Sequence, residues 1–198
     1  MIEEEVERTL AAVRTRLDVT DLRIAFRPEL SGVIPELGIG GYNPSADEVR
    51  IYLDPSDPGI PGIVRDEQLR ILSHEIHHAL RRTTVGYGST LFHAAVTEGL
   101  ADHFALEVGG GEPAPWSVAL TPEELEEWMP EVLAGTGSGY DHEEWFFGTS
   151  PSIPRWTGYA VGFELVGIYL DAHPGSSASG LVGEPADSFR WRGHPSVR

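Results

Sequence analysis

The chain has 198 residues, 40% of them hydrophobic, which is enough to bury a sizeable core in one compact unit. Acidic residues outnumber basic ones by 31 to 14, for a formal net charge of -17, which argues against nucleic acid and anionic membranes as partners. Because the chain has no cysteine, it forms no disulfide, and a zinc site in it must use imidazole and carboxylate ligands.

The first sixty residues predict one amphipathic helix and a small sheet. Apolar residues recur at near-helical spacing from Glu3 to Leu17, and acidic residues occupy the first turn, where they suit the helix dipole. Alternating patterns predict strands at Leu22–Phe26, Ile39–Tyr42 and Val49–Leu53, and the turn residues between them favour a mostly antiparallel sheet.

The rest of the chain predicts helices separated by loops. Helical spacing of apolar residues indicates one long helix from Val64 to Arg82 and a second from Thr90 to Val108, with Ser89 as its N-cap. A capping threonine, a proline and a glutamate at Thr121, Pro122 and Glu124 predict a third helix that ends near Leu133. The stretch 135–154 is expected to be a long loop, 157–171 a last helix, and 176–198 an irregular tail.

The start of the chain resembles neither a signal peptide nor a membrane anchor. Met1–Glu7 is acidic where a secretory signal is basic and then apolar, and no apolar run approaches the length of a membrane span. We therefore expect a cytoplasmic location.

The longest predicted helix contains the pattern H-E-x-x-H. One helical turn separates His74 from His78, so their imidazoles project from nearly the same side, about 40° apart, while Glu75 lies about 100° from His74. Two imidazoles placed in this way can share one metal ion, with a carboxylate beside it to act as a general base. The competing interpretation is a pair of ordinary polar residues on an exposed helix face. His77 points to the other side of His74 and is not expected to be a ligand.

A catalytic zinc ion needs a third protein ligand and one open position, and Glu98 suits the third place best. It follows His78 by 20 residues inside the next predicted helix, so a helix-turn-helix return can bring it to the metal, and Gly99 eases close approach of the two helices. Asp102, one turn later, can accept a hydrogen bond from the far nitrogen of a ligating histidine. Glu107 is a poorer alternative because it sits near the helix end. The competing interpretation is that Glu98 and Asp102 are solvated carboxylates on the surface of the helix.

Three further histidines have no spacing that predicts a role: His93, His103 and His142.

These motifs resemble a known family of enzymes. The pattern His-Glu-x-x-His, followed at this distance by Glu98 and then Asp102, resembles the gluzincins, which are thermolysin-like zinc metallopeptidases. More narrowly, the segments Gly40–Tyr42, His74–Ala79, Glu98–Asp102 and Arg155–Gly162 look like a family of small bacterial proteins described as predicted Zn-dependent proteases. The resemblance covers about 39–170, which is most of the chain.

The resemblance implies further roles. Tyr159 follows the third ligand in chain order, as the oxyanion-stabilising residues of gluzincins do, so it is the candidate for that role; a plain core aromatic is nearly as good an interpretation. Gly40, Gly41 and Tyr42 correspond in place to the edge strand that pairs with extended substrate in related enzymes. The implied fold is an α+β, zincin-like one, with a small sheet packed on long active-site helices and a helical C-terminal half.

Together these observations predict one zincin-like catalytic unit over 1–198. Its parts are an N-terminal helix and sheet (1–60), metal-binding helices (61–110), a helical C-terminal part (111–175) and the tail. The predicted cofactor is one Zn²⁺ per chain, the predicted partner is a peptide or protein substrate, and the predicted reaction is hydrolysis of peptide bonds. Two alternatives stay open: a zincin-like regulator or sensor with restricted proteolysis, and a structural metal protein, in which Glu75 would have no role.

Overall fold

The computed structural model describes residues 2–190 and has an α+β architecture. Five helices and three strands are named here in chain order: α1 (Ile2–Val13), β1 (Arg23–Arg27), β2 (Ile39–Ser45), β3 (Glu48–Leu53), α2 (Ile60–Arg82), α3 (Leu91–Gly109), α4 (Pro122–Ala134) and α5 (Thr157–Ala172). Short 3-10 turns lie at Leu30–Gly32 and Ala186–Phe189, and a π-helical segment lies at Glu143–Phe147. The last eight residues of the predicted tail lie outside the described range.

The sheet is mixed, with strand order β1-β3-β2, which corrects the mostly antiparallel sheet expected from the sequence. β2 and β3 form an antiparallel hairpin, whereas β1 pairs with β3 in parallel on the opposite side. Alternation along a strand shows which face is buried, but it does not fix the strand's partner or direction. In this sheet β2 lies at an edge.

Contacts divide the chain into two compact units. The first contains Met1–Thr84 and Phe104–Gly111, and in it α2 packs on β2, β3 and α1. Its buried core includes Val13, Val49, Ile51, Leu72 and Ile76. Every residue of α2 from Ile71 to Ala79 is buried, so the polar residues of this stretch lie in the interior.

The second unit contains Val85–His103 and Glu112–Arg198. Its core joins apolar residues of α3, α4 and α5 with Phe146, Leu181 and Phe189. At the crossing of α3 and α5 the backbones touch: a Cβ atom on Gly99 would lie 2.1 Å from the carbonyl oxygen of Gly162. Within this unit, the helix that approaches Gly99 closely is α5.

Most helix ends agree with the sequence. α4 has the predicted capping box: the Glu124 backbone N–H donates to Thr121 Oγ1, and the Glu124 carboxylate accepts from the Thr121 N–H. α2 starts earlier than predicted, next to Pro61. At the start of α3 it is Thr90, and not the predicted Ser89, whose side chain accepts from the His93 N–H.

Among the described residues, no helix combines the length and the apolar character that crossing a bilayer requires.

Candidate metal centre

Three predicted ligands come together in the structure. His74, His78 and Glu98 each offer one ligand atom, and these atoms all lie within 4.8 Å of one another. All three side chains are buried, with 6%, 5% and 4% of their surfaces exposed. A buried carboxylate beside two imidazoles is the nitrogen and oxygen donor set that zinc accepts in catalytic sites.

The two histidines of α2 face each other as a shared ion requires. Their Nε2 atoms are 3.0 Å apart, and the ring planes stand at 88°. Two Zn–N bonds of about 2.05 Å at a tetrahedral angle would place the nitrogens about 3.3 Å apart. The observed separation is close to that value, so the residues present fit a zinc ion.

The carboxylate of Glu75 is not among the grouped ligand atoms. Its side chain lies against the edge strand β2. A Cβ atom on Gly41 of β2 would lie 2.6 Å from Glu75 Cγ and 2.7 Å from Glu75 Oε1. Only a glycine leaves room for the carboxylate there, so the predicted general base lies directly beside the predicted substrate strand. Neighbouring Tyr42 is 52% exposed.

The free edge of β2 is only partly open. Ile34 forms an antiparallel bridge with Ile39, and a Cβ atom on Gly40 would lie 1.8 Å from the carbonyl oxygen of Gly32. The Ile34 bridge covers the edge at Ile39, just before the predicted strand Gly40–Tyr42. Because Cβ atoms project from the face of a sheet, the Gly32 contact covers one face at Gly40 and not the edge.

Asp102 is buried and accepts hydrogen bonds from residues that the sequence did not single out. Trp116 Nε1 donates to both carboxylate oxygens at 3.0 Å, and Ser117 Oγ donates to Oδ2 at 2.7 Å. Both donors come from the loop between α3 and α4, and no sequence pattern near Asp102 indicates them. These contacts fix the orientation of the carboxylate.

Glu98 also has a donor that sequence reasoning missed. Tyr87, in the loop before α3, donates its phenolic hydrogen to Glu98 Oε1 at 2.5 Å. Burial raises the pKa of Tyr87, and the nearby Glu98 carboxylate raises it further, so the phenol stays protonated and remains a donor. The flanking Gly86 and Gly88 are the one local signal that marks this tyrosine.

An aromatic cluster of the second unit contacts Tyr87 and Trp116. Tyr159 contacts the rings of Phe146, Phe147 and Trp116, with its centroid 5.0 Å from that of Phe146. His142 stacks on Phe146 at 4.3 Å and pairs with the hydroxyl of Tyr140 at 3.2 Å. Burial lowers the pKa of His142 and raises that of Tyr140 to about 12, which keeps both side chains neutral near pH 7.

Three other histidines of the two long helices, His77, His93 and His103, have structural contacts. His77 is buried against Phe104, with ring centroids 5.3 Å apart. His103 Nε2 donates to the carbonyl oxygen of Phe163 at 2.9 Å and stacks on its ring. His93 lies 3.7 Å from a carboxylate oxygen of Asp187.

Comparison with known proteins agrees with the donor set. A family model described as "Predicted Zn-dependent protease (DUF2268)" matches residues 2–190. The "Uncharacterized protein YjaZ" of Bacillus subtilis (strain 168) is 33% identical over 127 residues. That match covers 60% of this chain and 48% of YjaZ, so the chain spans about half the length of this relative. No solved structure gives a significant match.

Proposed function

Since the chain belongs to the family of predicted Zn-dependent proteases, we propose that it is a zinc metallopeptidase of the gluzincin type, with a zincin-like fold, acting as one catalytic unit. In this proposal His74, His78 and Glu98 bind one zinc ion, and Glu75 is the general base. The observation that carries it is the convergence of the three ligand atoms within 4.8 Å, with Glu75 next to the first of them in the chain.

The chemistry divides between the ion and the residues of the chain. When bound, zinc lowers the pKa of water and polarises a carbonyl group. Glu75 accepts a proton from the attacking water and later delivers it to the leaving amine. Contact with Gly41 limits the positions that its carboxylate can take, which supports a fixed direction of proton transfer.

Two more residues have proposed roles. Asp102 accepts a hydrogen bond from the far N–H of a ligating histidine and so fixes its tautomer, while Trp116 and Ser117 hold the carboxylate in place. Tyr159 donates its phenolic hydrogen to the oxyanion that develops on the substrate. Its position among Phe146, Phe147 and Trp116 restricts the ring, as a preorganised donor requires.

The proposed substrate is a peptide or an unfolded protein. An extended chain can add to the edge of a sheet through main-chain hydrogen bonds, which accept many side chains. β2 is an edge strand, and its residues Gly41 and Tyr42 begin next to the proposed base. The substrate pairs with Gly41 and Tyr42, beyond Ile39, where Ile34 covers the edge.

Metal content and peptide hydrolysis measured on the same samples test the proposal. The variants are Glu75→Gln, Glu98→Ala and, as a matched control on α3, Glu107→Ala, whose carboxylate pairs with Arg16 at 3.4 Å. Wild type and Glu107→Ala are expected to carry about one zinc per chain and to cleave casein-derived peptides in a chelator-sensitive way. Glu98→Ala should lose the metal, whereas Glu75→Gln should keep it and lose about 10²- to 10⁴-fold in rate.

Two outcomes contradict the proposal in different ways. If the wild-type protein purifies without metal and does not bind added zinc, the proposed metal site is wrong. Zinc bound at full occupancy without cleavage of any unfolded substrate points instead to the regulator or sensor.

A further inference from the structure

Tyr87 makes a direct contact with the third proposed ligand. Its hydroxyl donates to Glu98 Oε1 at 2.5 Å, and Glu98 is only 4% exposed. A buried carboxylate needs hydrogen-bond donors to hold its charge in one orientation. A phenol supplies such a donor without adding a positive charge, so the carboxylate keeps its full attraction for a cation.

The backbone of Tyr87 is held by the same turn of α3 that carries Glu98. Thr97 Oγ1 donates to the carbonyl oxygen of Tyr87 at 3.1 Å, and Thr97 directly precedes Glu98. Gly86 and Gly88 have φ angles of 76° and 93°, a left-handed conformation that places Tyr87 between two bends of the loop. The tyrosine is therefore hydrogen-bonded to this turn twice: its carbonyl group accepts from Thr97 and its hydroxyl donates to Glu98.

A ring contact also restricts the side chain of Tyr87. It meets the ring of His142 edge to face, with centroids 6.2 Å apart, and His142 is itself stacked on Phe146 and bonded to Tyr140. These contacts limit the rotation of the ring, so the hydroxyl has one favoured direction, which is toward Glu98.

We propose that Tyr87 is a positioning residue for the metal centre: its hydroxyl holds the Glu98 carboxylate in the orientation in which it binds the ion. The inference rests on the proposed function, because it requires that Glu98 be a ligand. Groups that orient a metal ligand through a hydrogen bond typically change metal affinity by about 10- to 100-fold.

Tyr87→Phe removes only the hydroxyl. Tyr169→Phe is the matched control, since Tyr169 lies on α5 against His173 and Phe189, with centroids 4.1 Å and 4.5 Å away. Zinc affinity is measured by competition with a chromophoric chelator, and thermal unfolding is recorded with and without zinc. Tyr87→Phe should weaken zinc binding about 10- to 100-fold and reduce the zinc-induced rise in Tm, while Tyr169→Phe leaves both at the wild-type level.

A purely structural tyrosine gives a different result. It would lower Tm equally with and without zinc and leave zinc affinity at the wild-type value, and that outcome would overturn the inference.

The inference and the proposed function fail in distinguishable ways. If wild type binds zinc and Tyr87→Phe binds it equally well, the inference alone is wrong. If wild type itself binds no zinc, the proposed metal centre is wrong and the inference falls with it.

Discussion

Replacement of Gly41 by alanine is expected to impair catalysis while the metal stays bound. The new Cβ atom would lie 2.6 Å from Glu75 Cγ, 2.7 Å from Glu75 Oε1 and 2.8 Å from Ile71 Cγ2, whereas ordinary contacts begin at 3.4 Å. The Glu75 side chain or the strand must therefore move by about 0.8 Å. Glu75 is the proposed base and does not belong to the ligand group, so the shift should affect proton transfer more than zinc binding.

The size of the effect follows from this displacement. A misplacement of about 1 Å in a catalytic group can cost about 100-fold in rate, so we expect kcat/KM to fall about 10- to 100-fold. Overpacking of this kind typically costs about 1–3 kcal/mol of folding free energy. For a chain of this length, that corresponds to a fall in Tm of roughly 2–12 °C.

The assay combines kcat/KM on a peptide substrate, zinc content and thermal unfolding. Gly62→Ala is the matched control, because Gly62 also lies in the first unit, on α2, and its added Cβ would meet no heavy atom within 4 Å. Gly62→Ala should keep wild-type activity. If Gly41→Ala keeps activity within about twofold of wild type while Glu75→Gln is inert, the contact does not position the base, and this reasoning is refuted.

Three further predictions concern stability. Gly99→Ala should lower Tm by roughly 4–12 °C, because its Cβ would lie 2.1 Å from the Gly162 carbonyl oxygen and neither backbone can give way; an unchanged Tm in thermal denaturation would contradict the close helix crossing. Thr121→Ala should cost about 1 kcal/mol in urea denaturation because it removes the cap of α4, and a Thr121→Ser variant should keep most of that energy. Burial lowers the pKa of His103 below its value in the unfolded chain, so protonation of this histidine opposes folding, and stability should fall as the pH drops below about 6.5. The His103→Gln variant should therefore lose less Tm than wild type between pH 7.5 and 5.5. An identical loss of Tm in both proteins would assign the pH dependence to other groups.

Local patterns in the sequence predicted much of the fold correctly. The helical spacing of α2, the proline and capping box of α4 and the start of α5 at Thr157 all depend on residues within a few positions of one another. The expected group of His74, His78 and Glu98 is present as well. Its first two members lie one helical turn apart, so helix geometry alone brings them together.

The incorrect predictions arise because these patterns describe only neighbouring residues. The strands were predicted, but their order and the parallel pairing of β1 with β3 were not, because alternation carries no information about partners. The sequence predicts Ser89 as the cap of α3, whereas Thr90 has that role in the structure. Two adjacent hydroxyl residues fit the same pattern, and the position at which the helix starts decides between them.

The amino-acid sequence by itself determined most of the helices and the candidate ligand types, because these depend on composition and on short spacings. Only the tertiary structure decided which groups hold the site residues: Tyr87 on Glu98, Trp116 and Ser117 on Asp102, and Gly41 against Glu75. These pairs lie 11 to 34 residues apart in the chain, in different elements or loops. Contacts at such separations form when elements pack and loops close, and no short sequence pattern encodes that packing.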